Sequence, residues 1–260
     1  GKFDYLYDKV GLYDTLRAIV SGYRSARCIT GCWQSINDIQ DRMLNFLENH
    51  DEQRIASDFF AGDPWKALPA LVVSATMNRN PFMIYFGQEL GEPGMDAEGF
   101  SGRDGRTTIF DYWSVASIRR WRNDGTFTPI LLTDSEKQLS QYYTNLLRLC
   151  NQSAAIRQGA FFDLMYVNLE NPSFNPDKQY AYLRSYEKEC LLIAVNFDAQ
   201  AVDLSVFIPG HAFDCLGITE IKDSSAVDLL SNIRQPASLQ RDTYYPVHLP
   251  AYGSVIIRFR

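Results

Sequence analysis

The periodicity of apolar positions changes once along the chain, close to Gly159. Before it, short apolar runs are separated by stretches whose apolar residues recur at three and four; after it, alternation dominates. Phe3–Tyr7 reads as a short strand. Leu12, Leu16, Ile19 and Val20 fall at helical spacing between Gly11 and Gly22, where the glycine stops the helix. Ile36, Ile39 and Met43 suit a second short helix or its trailing loop, and Leu44–Leu47 a buried strand. Strand, helix, strand implies a parallel pair joined by a right-handed crossover. Asp63 is a good N-cap ahead of Pro64, so a helix is expected over Trp65–Met77, with Leu68, Leu71, Val72 and Ala75 on one face and Pro69 tolerated in its first turns. Phe82–Phe86 again has the composition of a buried strand. Gly87, Gly91 and Gly94 then open a polar loop running to about Phe110. A long amphipathic helix is expected from Ser135 to about Gln158, with Leu139, Tyr142 or Tyr143, Leu146 and Leu149 or Cys150 on its stripe and Gly159 ending it.

From Ala160 the segments Phe162–Asn168, Gln179–Tyr186, Leu191–Asn196, Val202–Ile208, Tyr244–Leu249 and Ser254–Arg260 read as strands. Turn clusters such as Asn171-Pro172, Asn175-Pro176-Asp177 and Pro209-Gly210 separate them. The expected organisation is an α/β part over residues 1–158 and an all-β part over 159–260, the latter an antiparallel β-sandwich.

Composition narrows the classes of partner. The chain has 260 residues, 46% of them hydrophobic, which suffices to bury a core. Its net charge is −6, and no Lys/Arg-rich run is present, which argues against nucleic acid and anionic membranes as partners. No apolar run approaches the roughly 18 residues of a membrane span, and no targeting segment is read in the chain. The five cysteines, Cys28, Cys32, Cys150, Cys190 and Cys215, form no paired C-x-x-C units, so a zinc site is not expected. Free buried thiols are the default, with a Cys28–Cys32 disulfide as the alternative. The chain opens Gly1-Lys2-Phe3 without an initiator Met, which suggests an upstream portion.

The densest candidate chemistry follows Met43-Leu44-Asn45-Phe46-Leu47: Glu48-Asn49-His50-Asp51-Glu52-Gln53-Arg54. Polar residues at the C-terminal end of a buried strand are where barrel and open α/β folds place chemistry. A charged His50 donates from both ring nitrogens, and the Asp51 carboxylate accepts a pair of hydrogen bonds or stabilises a developing cation. The plainer reading is a helix N-terminus with Asn49 or Asp51 as its cap. The loop after Phe86 carries Glu89, Glu92, Asp96, Glu98, Arg103, Asp104 and Arg106, and Asp111-Tyr112-Trp113 adds aromatic faces; the plainer readings are a solvated insertion and ordinary packing.

Phe46-Leu47-Glu48-Asn49-His50-Asp51 resembles the fourth signature region of the alpha-amylase family of glycoside hydrolases, which ends the seventh barrel strand. Pro81–Glu89 resembles that family's eighth strand. Gly94–Gly99 and Arg103–Arg106 look like the loop after it in bacterial members, and Ala251–Ile257 resembles the closing strand of their C-terminal domain. The resemblance implies the C-terminal part of a (β/α)8 TIM barrel, about three β/α units, followed by the β-sandwich. It implies part of a retaining glycosidase acting on α-linked glucans such as starch and maltooligosaccharides. In that family one Asp is the nucleophile, one Glu the acid/base, and a second Asp stabilises the transition state. By motif, the last role falls on Asp51, and His50 hydrogen-bonds the sugar, with Asn49, Arg103 and Asp104 as further substrate-binding residues. The nucleophile and acid/base positions would precede Gly1. No cofactor is implied in this chain, while calcium belongs to what the family allows in a complete enzyme. Amylase, α-glucosidase, pullulanase and transglycosylase chemistries share these motifs.

Two alternatives stand beside this reading. One is a complete small hydrolase using Asp51 with Glu89 or Glu98, which a retaining mechanism would need roughly 5–5.5 Å apart. The other is a non-catalytic carbohydrate-binding or transporter-associated subunit of amylase ancestry. Three parallel strands do not close an eight-stranded barrel and leave an unpaired edge. The chain is therefore expected to pair with another copy or with the missing barrel half. Size-exclusion chromatography with light scattering is expected to show association or poor solubility; a well-behaved monomer would count against it.

Overall fold

Asp8 starts the first helical segment: its carboxylate accepts the Leu12 amide at 2.8 Å, the bond a side-chain cap makes at a helix entrance. The computed structural model describes residues 3–96, 102–110 and 114–259. Strand β1 (Leu6–Tyr7) leads through a helical turn at Lys9–Tyr13 into α1 (Asp14–Val20). The next helix, α2, covers Cys28–Ser35, with Ile36 and Ile39 in the loop that trails it and Met43 already in the following strand. Its apolar stripe is thin. Distant partners hold it instead, with Thr30 Oγ1 and Trp33 Nε1 donating to Asp163 at 2.7 and 2.8 Å.

Strand β2 (Met43–Phe46) follows, one residue earlier than expected. Asp63 caps as its sequence suggests, accepting the Trp65 amide at 3.0 Å. A 3-10 turn at Pro64–Ala67 then enters α3 (Leu68–Thr76). Strand β3 is only Phe82–Met83, not Phe82–Phe86. The chain turns away because Gln88 Oε1 accepts the Tyr85 amide at 3.2 Å and Gly87 adopts φ +79°, open to glycine at little steric cost. The three strands pair in parallel in the order β1-β2-β3, with Leu6 opposite Met43 and Asn45 opposite Phe82.

A helix unforeseen in the sequence, α4, spans Ala116–Arg122. The long amphipathic helix begins one residue before Ser135, because Thr133 and Glu136 form a reciprocal capping box, and it is two helices: α5 (Asp134–Gln152) and α6 (Ala154–Gln158). Ser153 makes the break, its extended backbone ending α5 and its hydroxyl accepting the Ile156 amide at 3.3 Å.

Strand β4 (Ala160–Asp163) replaces the expected Phe162–Asn168, since Asp163 Oδ1 takes the Met165 amide at 2.7 Å and starts the short helix α7 (Met165–Asn168). Then come β5 (Gln179–Tyr186), β6 (Glu189–Asn196), β7 (Val202–Ile208), α8 (Gly210–Leu216), β8 (Ile221–Asp228), β9 (Arg234–Leu239), β10 (Thr243–Leu249) and β11 (Ser254–Phe259). Helix α8 and strands β8 and β9 have no clear alternation in the sequence, and Pro236 within β9 argues locally against a strand. Strand β9 is the last member of its sheet, the position that tolerates proline. The strands form a six-stranded antiparallel sheet, β4-β5-β6-β11-β8-β9, and a two-stranded one, β10-β7. The five cysteines are free; Cys32 Sγ lies 3.4 Å from the Cys28 carbonyl oxygen rather than bonded to its thiol.

The core runs without interruption from Leu12 to Phe259. Helix α3 is buried on every side, not on one face, because it packs against α1, β2, α5, β6 and β11 together. Arg184 on β5 fastens the helical and β-rich parts. Its guanidinium is 1% exposed and donates to the carbonyls of Met77, Ala155, Ile156 and Gly159 at 2.5–3.1 Å. Gly159 is required there, since a Cβ would lie 2.2 Å from the Ala155 carbonyl oxygen. Replacing Arg184 by Met strands those acceptors in a buried seam. We expect a loss of at least about 3 kcal/mol, read as a lower urea midpoint.

Candidate functional site

The site is built on the segment that leaves the C-terminal end of β2. Leu47, Glu48 and Asn49 remain buried beyond the last strand residue. Asn49 Oδ1 then accepts the amides of Asp51 and Glu52 at 2.8 and 2.9 Å, the local side-chain-to-backbone bond that favours Asn in turns. Asn49 therefore shapes this turn, although no helix follows it. The turn throws its next two residues outward: the His50 and Asp51 side chains are 44% and 68% exposed, with Nε2 3.4 Å from Oδ2.

Two flanking networks fix the turn. On one side Glu52 Oε2 accepts from the Tyr13 hydroxyl at 3.1 Å and from Arg17 at 3.2 Å, while its Oε1 lies 3.3 Å from Lys9 Nζ. Arg17 also donates to Gln53 Oε1 at 2.7 Å. Helix α1 and the turn before it thus grip the loop. On the other side stands a buried ion pair. Glu48 Oε2 accepts from Arg54 at 2.7 Å, and its Oε1 takes the Ile55 amide at 2.7 Å. Burial pushes the Glu48 carboxyl up, and the Arg54 guanidinium and the Ile55 amide oppose that rise. Arg54 is fully buried, donates from Nε to Thr107 Oγ1 at 2.9 Å, and lies 4.3 Å from the ring centre of Tyr85, within the range of a cation–π contact.

These contacts fold residues 102–110 onto the loop after β2. The Arg54 amide donates to the Gly105 carbonyl at 2.7 Å. Gly105 has φ +79°, and a Cβ there would lie 2.8 Å from the Phe59 ring and 2.9 Å from Ser57 Oγ. Arg106 donates from Nε to the Asp51 carbonyl at 2.6 Å, with its Nη1 3.2 Å from Asp104 Oδ2. Of the anticipated site residues, His50 and Asp51 meet directly, and Asp104 is joined to them through Arg106. Asn49 is buried beneath them. Arg103 is exposed and makes no bond to His50, Asp51 or Asp104 among the described residues. Glu98 and Asp111-Tyr112-Trp113 lie outside the described residues.

Glu48, Arg54 and Arg106 fall in the two polar stretches singled out in the sequence, but their pairing with one another's loops was not anticipated. Arg54 had one signal, the lone cation closing the polar cluster; the long-range partner of Arg106 is a backbone carbonyl, which no side-chain pattern reveals. Glu92 has a structural role: it accepts the Gly94 amide at 3.0 Å and bonds Ser117. Glu89 is different. Its Oε2 is buried without a hydrogen-bond partner among the described residues, and burial pushes its carboxyl above the ordinary range.

The comparisons with known proteins concern the fold. Residues 172–256 match the family Maltogenic Amylase, C-terminal domain. A cyclomaltodextrinase of Bacillus sp is 26% identical over 174 residues, 67% of this chain and 24% of that protein. The Anoxybacillus alpha-amylase structure superposes with a TM-score of 0.63 at 20% identity, covering 95% of this chain and 45% of that one. A noncanonic maltogenic alpha-amylase, AmyB from Thermotoga neapolitana, gives 0.65 at 16% identity, covering 99% and 51%. The fold is thus amylase-type, and residues 172–256 of its β-rich end match a maltogenic-amylase C-terminal domain. The chain is similar in fold to the C-terminal portion of alpha-amylase structures, and spans about half the length of these structures and a quarter of the cyclomaltodextrinase. Among the described residues no helix is long and apolar enough to cross a membrane.

Replacing Arg54 by Met leaves Glu48 charged and unpaired in the interior. We expect a cost of about 3–5 kcal/mol, measured by chemical denaturation, with the Glu48→Gln, Arg54→Met double variant recovering part of it. Glu89 should behave oppositely. A carboxyl raised in the folded state binds its proton more readily folded than unfolded, so stability is lost as pH rises from the ordinary glutamate value of 4.5 through the folded one. Glu89→Gln should raise Tm at pH 7 and leave it nearly unchanged at pH 4, as differential scanning calorimetry would show.

Proposed function

We propose that this chain forms one wall of the active site of a retaining glycoside hydrolase acting on α-linked glucans, with Asp51 stabilising the transition state and His50 hydrogen-bonding the same sugar. The observation that carries the reading is the fate of the carboxylates around the loop. Glu48, Glu52, Glu92 and Asp104 are each held by cations, amides or hydroxyls, whereas Asp51 is anchored by its backbone and keeps its side chain open to solvent. A carboxylate fixed in that way opposes the positive charge that develops on the sugar ring, and bonds to ring hydroxyls strengthen as the ring distorts. The reorganisation cost is small because Asn49 and Arg106 hold the Asp51 main chain on both sides.

The two reacting carboxyls come, in this reading, from polypeptide that completes the barrel beside the three-stranded parallel sheet. In that sheet β1 and β3 each pair only with β2 among the described residues, and Phe3, Tyr5, Leu6 and Tyr7 are exposed around β1. Asn49, Arg103 and Asp104 belong to the sugar-facing surface, and the two antiparallel sheets form the sandwich of the C-terminal domain. Calcium, where the complete enzyme uses it, is held outside this chain.

The chain alone should therefore show no turnover of maltohexaose. In the complete polypeptide, Asp51→Asn is expected to lower kcat on the order of 10³-fold with little change in KM. Turnover by the chain alone that disappears in Asp51→Asn would overturn the shared-site reading; wild-type kcat in the complete variant would overturn the role of Asp51.

A further inference from the structure

A cavity of about 610 Å³ lies away from His50 and Asp51, where the segments entering β2 and β3 meet β4 and α8. Its size falls within the ~300–1,000 Å³ of small-molecule sites. Trp33, Phe161, Phe162 and Tyr166 supply aromatic surface, and the exposed amide side chains of Gln34, Asn37 and Gln158 stand along its lining.

The charged groups in the lining are already engaged. Asp163 accepts from Thr30, Trp33 and Tyr180 through Oδ2 and from the Met165 amide through Oδ1. Arg184 is saturated by four backbone carbonyls, and Arg79 is paired with Asp41 at 3.0 Å. His211 also lines the cavity and is bonded to the Tyr166 hydroxyl, so among the described residues an anion would have to compete with Tyr166 for His211 or with Asp41 for Arg79. A lipid would meet too many amides and backbone groups. Flat apolar faces beside neutral donors and acceptors suit a ligand that has both apolar ring faces and many hydroxyls.

We propose that this cavity is a second, non-catalytic carbohydrate site that binds a neutral oligosaccharide. Trp33 is the central contact. Its indole N–H is held by Asp163 at 2.8 Å, and its ring packs edge-on against Phe161 with centroids 5.4 Å apart, so the ring is fixed before ligand arrives. A ring held in advance loses little freedom on binding. The wall is continuous with Arg184 and Gly159, so the site straddles the seam between the helical and β-rich parts.

The test is a titration of the complete chain with maltohexaose, following the Trp33 indole N–H by NMR and affinity by calorimetry. Because Trp33 also serves Asp163, the informative variant is the triple Gln34→Ala, Asn37→Ala, Gln158→Ala, which removes exposed side chains only. The indole resonance is expected to shift on titration, and the triple variant to weaken binding at least about ten-fold, while Asp51→Asn leaves binding here unchanged. An unmoved indole, or wild-type affinity in the triple variant, would overturn the proposal. Loss of maltohexaose binding in Asp51→Asn alone would also overturn it while leaving the role of Asp51 intact.

Discussion

A fully buried guanidinium organises the candidate site. Arg54 neutralises Glu48 at the end of β2, bonds Thr107 and lies against Tyr85 and Phe86, so one side chain joins the loop after β2 to the loop after β3. Such a pair contributes little net stability, because both charges must be stripped of water, but losing either partner is expensive. The asymmetry favours a single arrangement of the two loops. The exposed Asp51 is held through its backbone by Asn49 and Arg106, and the buried pair beneath fixes the loops that carry them.

Arg184 plays the matching part at the other end of the molecule. It has no carboxylate partner and instead gathers carbonyls from the end of α3 and from α6. In both places an arginine with several donors in fixed directions satisfies backbone that a loop or helix end would leave open. One consequence is that the β-rich part is tied to the helical part by buried polar bonds, and by the Thr76–Tyr182 hydroxyl pair at 2.6 Å, as well as by apolar contact. The seam is specific in orientation, a useful property where a cavity crosses it.

The elements with strong periodicity were legible in the chain itself. Helix α1, the Asp63-capped entry to α3, β2, and strands β5, β6, β7, β10 and β11 all lie within a few residues of their expected places. The misses share a cause. Helix α2 has few inward apolar residues and depends on Asp163, more than a hundred positions away. Strand β3 is cut short by the Gln88 side chain, and the long helix is split by one serine hydroxyl. Strands β8 and β9 carry polar residues and a proline that only an edge position accommodates. In each case a specific hydrogen bond or a neighbouring element overrode local preference.

The order of residues alone carried the likeness to amylases and made Asp51 a candidate. Phe46–Asp51 and Pro81–Glu89 are local motifs, and local chemistry survives in a linear string. It also determined that Asn49 could close a turn, since that bond spans only two or three residues. The tertiary structure decided which charges are spent and which are free. Glu48, Glu52, Asp104 and Asp51 are equivalent carboxylates on paper; in the fold Arg54 and Arg106 turn back on Glu48 and Asp104 within their own loops, Arg17 reaches Glu52 from α1, and Arg106 crosses to Asp51 but takes only its backbone carbonyl. Burial and long-range pairing are properties of the folded arrangement, and they set the electrostatics on which the proposed chemistry depends.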